Sequence, residues 1–264
     1  MVTVSAAREL IRLPYVNWKG KRIFYRSTAP TSYNNTVICI HGAGGNSRHW
    51  SYQLTMASQW GHSIVAVDLP GHGQSEGPPL ETISDYSRFV EEFIQLLKLE
   101  RPVLAGHSMG GAITMELASR QPELVAKLIL IGTADQFMVA PWLLESLQAG
   151  EMPPAFIRLA YAGNADGKLI EQGIKEAERT PVSVYLTDFL ACQAFRLSKA
   201  DAMTQIPCLL LFGAEDRLTP LKKADSLRKA LHPHRLVVIE KAGHMVMIEK
   251  ADPVNRAIEE FLQV

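Results

Sequence analysis

The chain has 264 residues, with 27 basic and 27 acidic side chains and a hydrophobic fraction of 47%, which suits one large domain or a domain carrying an insertion. The balanced charge gives no indication of a nucleic-acid partner, and no apolar run reaches the about 18 residues that a membrane-spanning helix needs. The first 14 residues have the composition of neither a signal peptide nor a transit peptide, so we expect a cytoplasmic protein.

Six short runs rich in Val, Ile and Leu predict the strands of a sheet. They do not alternate polar with apolar residues, which is typical of strands buried on both faces of a parallel sheet. In chain order they are "TVICIHG" at 36–42, "SIVAVDLPG" at 63–71, "PVLAGHS" at 102–108, "KLILIGTA" at 127–134, "PCLLLFGAED" at 207–216 and "RLVVIEKAGH" at 235–244. The earlier segment "KGKRIFYRST" at 19–28 fits an added antiparallel edge strand.

Helical segments lie between these runs. Residues 82–99 place their apolar side chains on one helical face, behind a Thr82–Asp85 pattern that resembles a capping box. Two further helices are predicted to begin at the capping residues Thr219 and Asp252, because each is followed by a proline. Strands alternating with helices predict an α/β fold with a mostly parallel central sheet flanked by helices.

Residues 135–200 interrupt the alternation of strands and helices, because they contain no strand-like run. Apolar and aromatic residues recur there at helical spacing instead. We therefore predict a helical cap at 135–200, inserted into a core formed by residues 1–134 and 201–264.

The stretch "GHSMG" at 106–110 fits the pattern Gly-x-Ser-x-Gly between a predicted strand and a predicted helix, which is the context of a nucleophile elbow. Such a turn strains the serine backbone and brings strand and helix so close that side chains at 106 and 110 would collide. The glycines are thereby explained, and Ser108 is the candidate nucleophile. The alternative is a glycine-rich turn whose serine has no catalytic role.

A serine hydroxyl needs a base, and the base needs an orienting acid. His244 follows the last predicted strand and so lies at the edge formed by the carboxyl ends of the parallel strands, where open α/β sheets bind their ligands. His49, by contrast, falls in a segment predicted to lie at the surface. Asp216, at the end of the preceding strand, is the preferred acid, and Asp135 is the alternative. Glu215 is adjacent to Asp216 but should point the other way.

The loop "HGAGGNS" at 41–47 also follows a strand, and its glycines allow backbone N–H groups to turn inward. We assign the N–H groups of Ala43 and Met109 to an oxyanion hole. Gly42, Gly44 and Asp68 faintly resemble a dinucleotide-binding fingerprint, but the third glycine position is Ser47. We expect Asp68 to tie a turn together.

The sequence contains no motif that indicates a metal or cofactor site. Cys39, Cys192 and Cys208 have no metal-ligand spacing and are expected to be buried, reduced thiols. The "HPH" triplet at 232–234 is too isolated for a metal site. We expect a monomer or homodimer that uses no metal and no cofactor.

The loops "HGAGG", "DLPGHGQS", "GHSMGG", "GAEDRLTP" and "AGH" resemble the signature loops of the α/β-hydrolase fold superfamily over nearly the whole chain. The resemblance implies nucleophile, acid and base roles for Ser108, Asp216 and His244, and an oxyanion role for Ala43 and Met109. It also implies that the insertion is the family's cap. The serine separates this chain from the dehalogenase and epoxide-hydrolase branches, which have an aspartate there.

These observations predict a serine hydrolase that forms an acyl-enzyme, with a carboxylesterase for small to medium acyl esters as the first hypothesis. A C–C bond hydrolase, lactonase or amidase would use the same residues, and a small-molecule receptor with negligible turnover is an alternative of another class. Arg158 and Arg196 of the insertion are candidates for recognising an acidic substrate, although an arginine on a solvated helix face is commoner. We predict substrate contacts from one residue of the elbow and three aromatic residues of the insertion: His107, Phe137, Trp142 and Phe189.

Overall fold

The computed structural model describes residues 15–28 and 36–263, so the first 14 residues, which entered the expectation of a cytoplasmic protein, lie outside it. The described residues form one eight-stranded sheet in the order β1-β2-β4-β3-β5-β6-β7-β8. Its strands are β1 (Tyr15–Trp18), β2 (Lys21–Ser27), β3 (Thr36–Ile40), β4 (Ser63–Val67), β5 (Val103–His107), β6 (Lys127–Ile131), β7 (Cys208–Gly213) and β8 (Arg235–Ile239). Strands β3 to β8 are parallel, and β1 and β2 are antiparallel additions.

All six predicted parallel strands are confirmed. Successive residues of one strand are buried on opposite sides of the sheet: Val37 and Cys39 of β3 pack into one apolar cluster, while Ile38 and Ile40 pack into the other. Because helices cover both faces, neither set of side chains meets water, and the period-two pattern of a half-exposed strand is absent. The predicted antiparallel segment is β2, but the edge of the sheet is β1.

Helices cover the sheet and also form a separate group between β6 and β7. The α-helices are α1 (Ser51–Leu54), α2 (Ala57–Trp60), α3 (Ile83–Leu96), α4 (Met109–Arg120), α5 (Pro141–Gln148), α6 (Pro154–Leu159), α7 (Gly167–Ala177), α8 (Val182–Ala194), α9 (Lys222–Leu231), α10 (Val246–Glu249) and α11 (Ala251–Leu262). None of the helices in the described ranges is long and apolar enough to cross a bilayer.

The capping predictions met different outcomes. Thr82 caps α3 as predicted, since its hydroxyl accepts a hydrogen bond from the N–H of Asp85 at 3.0 Å. The prediction for Thr219 is wrong, because α9 begins at Lys222 and the hydroxyl of Thr219 bonds to Asp216 instead. Asp252 lies in the first turn of α11 rather than at its cap, since α10 runs into α11 with one residue between them.

Helices α5 to α8 have a small apolar core of their own, centred on Leu143, Leu147 and Tyr185. The chain enters and leaves this group side by side: Gln136 pairs with Arg196 in an isolated antiparallel bridge, and the N–H of Leu197 donates to the carbonyl of Asp135 at 2.8 Å. The four helices therefore project from one place in the fold, directly after β6.

Candidate active site

Ser108 lies between the end of β5 and the start of α4, with φ +52° and ψ −117°. A non-glycine residue in so sparsely populated a conformation carries strain of about 1–3 kcal/mol, which the surrounding structure must offset. Two hydrogen bonds hold it: the N–H of Ser108 donates to the carbonyl of Ile131 at 2.9 Å, and the hydroxyl of Thr133 donates to the carbonyl of Ser108 at 2.7 Å. These two hydrogen bonds keep the serine at the tip of the turn despite the strain.

The flanking glycines are required by the same geometry. A Cβ atom at position 106 would lie 2.3 Å from the carbonyl oxygen of Gly110, and one at position 110 would lie 2.2 Å from the carbonyl oxygen of Ile40. Both clashes are with backbone atoms, which do not rotate away. The start of α4 thus excludes a side chain at position 106, as the sequence predicted, whereas the neighbouring strand β3 excludes one at position 110.

Asp216 and His244 lie together at the carboxyl ends of β7 and β8. The Nδ1 atom of His244 is 2.9 Å from Oδ2 of Asp216, and both side chains are buried. Oδ2 also accepts the Thr219 hydroxyl at 2.7 Å, while Oδ1 accepts the N–H groups of Leu218 and Thr219 at 2.9 and 2.8 Å. Burial alone would raise the pKa of Asp216, but the charge and hydrogen bond of His244, together with the Thr219 donors, hold it below its ordinary value.

The alternative acid, Asp135, is engaged elsewhere, because its carboxylate accepts the hydroxyl of Ser226 in α9. Glu215 is exposed, and its carboxylate accepts the N–H of Gly163 at 2.9 Å. The structure therefore brings Asp216, and neither of the other two carboxylates, to the histidine.

A cavity of about 460 Å³ opens at this rim. Ser108 and His244 both line it, and so does the loop after β3 that carries Ala43. Met109 is the first residue of α4, directly after Ser108, and its side chain is buried in the core. The predicted nucleophile, base and first oxyanion donor thus line one cavity, and the N–H of Met109 follows the serine directly in the chain.

The four predicted substrate contacts, His107, Phe137, Trp142 and Phe189, also line the cavity. His107 has a second contact, since its Nε2 donates to the backbone carbonyl of His244 at 3.0 Å and so braces the loop that carries the predicted base. Burial and the neighbouring His244 lower the pKa of His107 well below its usual range, so this bond is made by a neutral ring.

Several other wall residues were not predicted. His49, expected at the surface, is half-buried in the wall, where burial lowers its pKa to about 4. The predicted arginines Arg158 and Arg196 are exposed and lie outside the lining, whereas Arg48 and Arg217 belong to it. Arg48 forms an ion pair with Glu176 of α7 at 3.0 Å, which places two opposite charges in one wall of the cavity.

The remaining sequence predictions concern structural residues. Asp68 is buried and ties two loops together, since Oδ1 accepts the N–H of Ser47 at 2.6 Å and Oδ2 accepts the N–H of Gln74 at 2.8 Å. The three cysteines are buried, free thiols, as expected. Within residues 15–28 and 36–263, no group of three or more His, Cys, Asp or Glu side chains is arranged to hold a metal ion.

Comparison with known proteins gives one family. The model of the Alpha/beta hydrolase family matches residues 37–257. Protein ABHD8 of Bos taurus is 28% identical over 244 residues, which cover 86% of this chain but 55% of that protein, so the chain spans about half the length of this relative.

Solved structures agree with the family model. A thermophilic esterase is 28% identical with a TM-score of 0.81, covering 96% of this chain and 98% of its own. The enol-lactonase of Burkholderia xenovorans LB400 shares the fold at 22% identity and a TM-score of 0.83, covering 95% of this chain and 100% of its own. Because the family model covers most of the sequence and contains the whole candidate site, the chain belongs to the alpha/beta hydrolase family.

Proposed function

We propose that this protein is a serine hydrolase that cleaves carboxylic esters with small to medium acyl chains. The observation that carries the proposal is the convergence of Ser108, on a strained turn, with the bonded Asp216–His244 pair on one cavity. The likeness to a thermophilic esterase supports ester cleavage as the reaction class.

In the proposed mechanism, the hydroxyl oxygen of Ser108 attacks the ester carbonyl. Because Nδ1 of His244 is bonded to Asp216, the other ring nitrogen, Nε2, takes the serine proton and returns it to the leaving alcohol. Water then attacks the acyl-enzyme, His244 takes a proton from that water, and Ser108 recovers it as the acid leaves. Asp216 remains ionised throughout and stabilises the imidazolium.

The negative charge that develops on the carbonyl oxygen needs donors in place before the reaction. We propose the N–H groups of Ala43 and Met109 for this role. Losing one such donor typically costs about 10²–10³ in rate, because the donors stabilise the transition state more than the bound ester.

We also propose that residues 135–200 act as the cap and determine the acyl pocket. Most of the residues that line the cavity come from this segment, and most of these are apolar, among them Leu143, Phe156, Tyr185 and Phe189. Such a wall favours an apolar acyl or alcohol group over a charged one. The cavity volume of about 460 Å³ suits a ligand of modest size.

The test is hydrolysis of p-nitrophenyl acetate, butyrate and octanoate by the wild type and by Ser108→Ala. We expect turnover by the wild type and a loss of at least about 10³-fold in the variant, since both steps need the serine. A folded wild type that leaves all three esters intact would contradict the proposal. Lactones, amides and vinylogous diketones would then test the related reactions, and binding without turnover would indicate a receptor.

A further inference from the structure

Asp188 of α8 is a fully buried carboxylate that the proposed mechanism does not use. It receives three hydrogen bonds from three different parts of the chain. Oδ2 accepts the N–H of Gly44 at 2.8 Å and Nε2–H of His72 at 2.8 Å, while Oδ1 accepts the hydroxyl of Tyr86 at 2.8 Å. One residue of the helical insertion therefore joins the loop after β3, the loop after β4 and helix α3.

The Gly44 contact matters because of the turn in which it lies. The N–H of Gly45 donates to the carbonyl of Gly42 at 3.0 Å, which closes a β-turn with Ala43 and Gly44 at its centre. Gly44 has φ +63°, whereas Ala43 is not among the residues with positive φ. This combination is typical of a type II turn. Types I and II differ by a flip of the central peptide, whose N–H is that of Gly44.

The side chain of Asp188 therefore holds the one peptide group whose orientation distinguishes the two turns. Two more residues of the insertion act on Gly44. The hydroxyl of Thr180 donates to its carbonyl at 3.0 Å, and the ring of Tyr185 occupies the space where a Cβ would lie, 1.9 Å from that position. The N–H of Gly44, its carbonyl and the side of its Cα atom that lacks a side chain are thus all contacted by α8 and the segment before it.

We propose that Asp188 is a positioning residue that locks this turn and so presents the N–H of Ala43 to the developing oxyanion. The inference rests on the proposed function, since it gives Ala43 its oxyanion role. It assigns the helical insertion a part in the chemical step beyond forming the pocket wall. A shift of α8 relative to the sheet would release Gly44 and disorganise the oxyanion site.

An asparagine at position 188 would be a poor replacement. Its single oxygen replaces two that together accept three donors, and its NH₂ group would face N–H and O–H donors. With the amide oxygen at the Oδ1 position, Gly44 and His72 lose their acceptor. With it at the Oδ2 position, the Tyr86 hydroxyl must accept a hydrogen bond instead of donating one. Asp188→Asn keeps the volume of the side chain, alters this hydrogen-bonding pattern and removes the charge that faces His72.

The experiment compares Asp188→Asn and Thr180→Val with the wild type on p-nitrophenyl butyrate, measuring kcat and KM separately. It also measures inhibition by an alkyl trifluoromethyl ketone, which forms a tetrahedral adduct with a serine nucleophile. We expect kcat to fall about 10- to 100-fold in Asp188→Asn with KM nearly unchanged, and the inhibition constant to rise by a similar factor. Thr180→Val should show the same pattern more weakly, and it remains informative if Asp188→Asn fails to fold.

Asn255→Ala is the matched control, because Oδ1 of Asn255 accepts a buried hydrogen bond from Gln53 at 2.8 Å without lining the cavity. It should lower the melting temperature and leave kcat unchanged. If Asp188→Asn and Thr180→Val keep kcat within about threefold of an active wild type, or if Asn255→Ala loses kcat as they do, the positioning role is wrong and the proposed function stands. If the wild type neither turns over esters nor binds the ketone, the proposed function fails, and this inference fails with it.

Discussion

Replacing Gly106 by alanine tests whether the close approach of β5 and α4 forms the serine turn. The added methyl carbon would lie 2.3 Å from the carbonyl oxygen of Gly110 and 2.6 Å from the nitrogen of Gly111. Ordinary van der Waals contact begins near 3.4 Å, so the start of α4 must move by about 1 Å. Both contacted atoms belong to the backbone, so no side-chain rotation relieves the clash.

The expected cost follows from that displacement. Overpacking of this kind destabilises proteins by about 1–3 kcal/mol. Ser108 lies between the two elements that are forced apart, and a misplacement of about 1 Å costs about 10²-fold in rate. We therefore expect Gly106→Ala to lose about 2 kcal/mol of unfolding free energy and about 10²-fold in kcat/KM.

The assay is urea unfolding followed by far-UV circular dichroism, together with hydrolysis of p-nitrophenyl butyrate. Gly167→Ala is the matched control, because a Cβ at this exposed first residue of α7 would meet no atom within 4 Å beyond its chain neighbours and the backbone of its own helix. It should keep full activity and gain up to about 1 kcal/mol in stability from alanine's helix propensity. A Gly106→Ala variant that matched the wild type in both measurements would refute the reasoning.

Three further outcomes are expected. Thr219→Val removes a donor to Asp216, and it should cost about 1.5 kcal/mol of unfolding free energy at neutral pH. Because the pKa of Asp216 is lowered in the folded state, the stability that this hydrogen bond contributes is present above the unfolded pKa of about 3.9 and disappears as pH falls through the folded pKa. If Thr219→Val lost as much unfolding free energy in strong acid as at neutral pH, this pH dependence would be wrong. Burial would lower the pKa of His72, but the charge of Asp188 raises it, so the stability that His72 adds is complete below about pH 6.5 and disappears as pH rises through the folded pKa. The difference in unfolding free energy between wild type and His72→Gln should therefore shrink as pH rises above about 6.5, and a constant difference in urea titrations would argue against the ion pair. Phe189→Ala widens the cavity wall, and it should shift the preference among p-nitrophenyl esters toward longer acyl chains; an unchanged preference would place the acyl group elsewhere.

The parallel sheet and the serine turn could be predicted from the sequence because their causes are local. A strand buried on both faces is a continuous apolar run, which is why the sequence indicated β3 to β7 directly; β8, a partly buried edge strand, has a similar apolar run. The elbow is marked by five consecutive residues, and Gly106 is required by contact with the next element along the chain, although the backbone that excludes a side chain at Gly110 belongs to β3. Asp216 and His244 could be paired because the carboxyl ends of neighbouring parallel strands share one rim.

The contacts between the insertion and the sheet could not be predicted in this way. Gly44 and Asp188 are 144 residues apart, and no periodicity or spacing links them. A signal was nevertheless present, because Asp188 is the one acidic residue in the apolar helix "VSVYLTDFLACQA", and a buried carboxylate needs partners. Thr219 was mistaken for a helix cap because Thr-Pro is a common helix start, whereas here Asp216 binds its hydroxyl.

The central claim is that Ser108 is the nucleophile, and covalent labelling tests it most directly. The wild type and Ser108→Ala would each be treated with an alkyl fluorophosphonate, and the adduct would be located by intact-mass measurement and peptide mapping. We expect one adduct on the wild type, on the peptide that contains Ser108, and none on the variant. A folded wild type that remains unlabelled, or equal labelling of the variant, would contradict it.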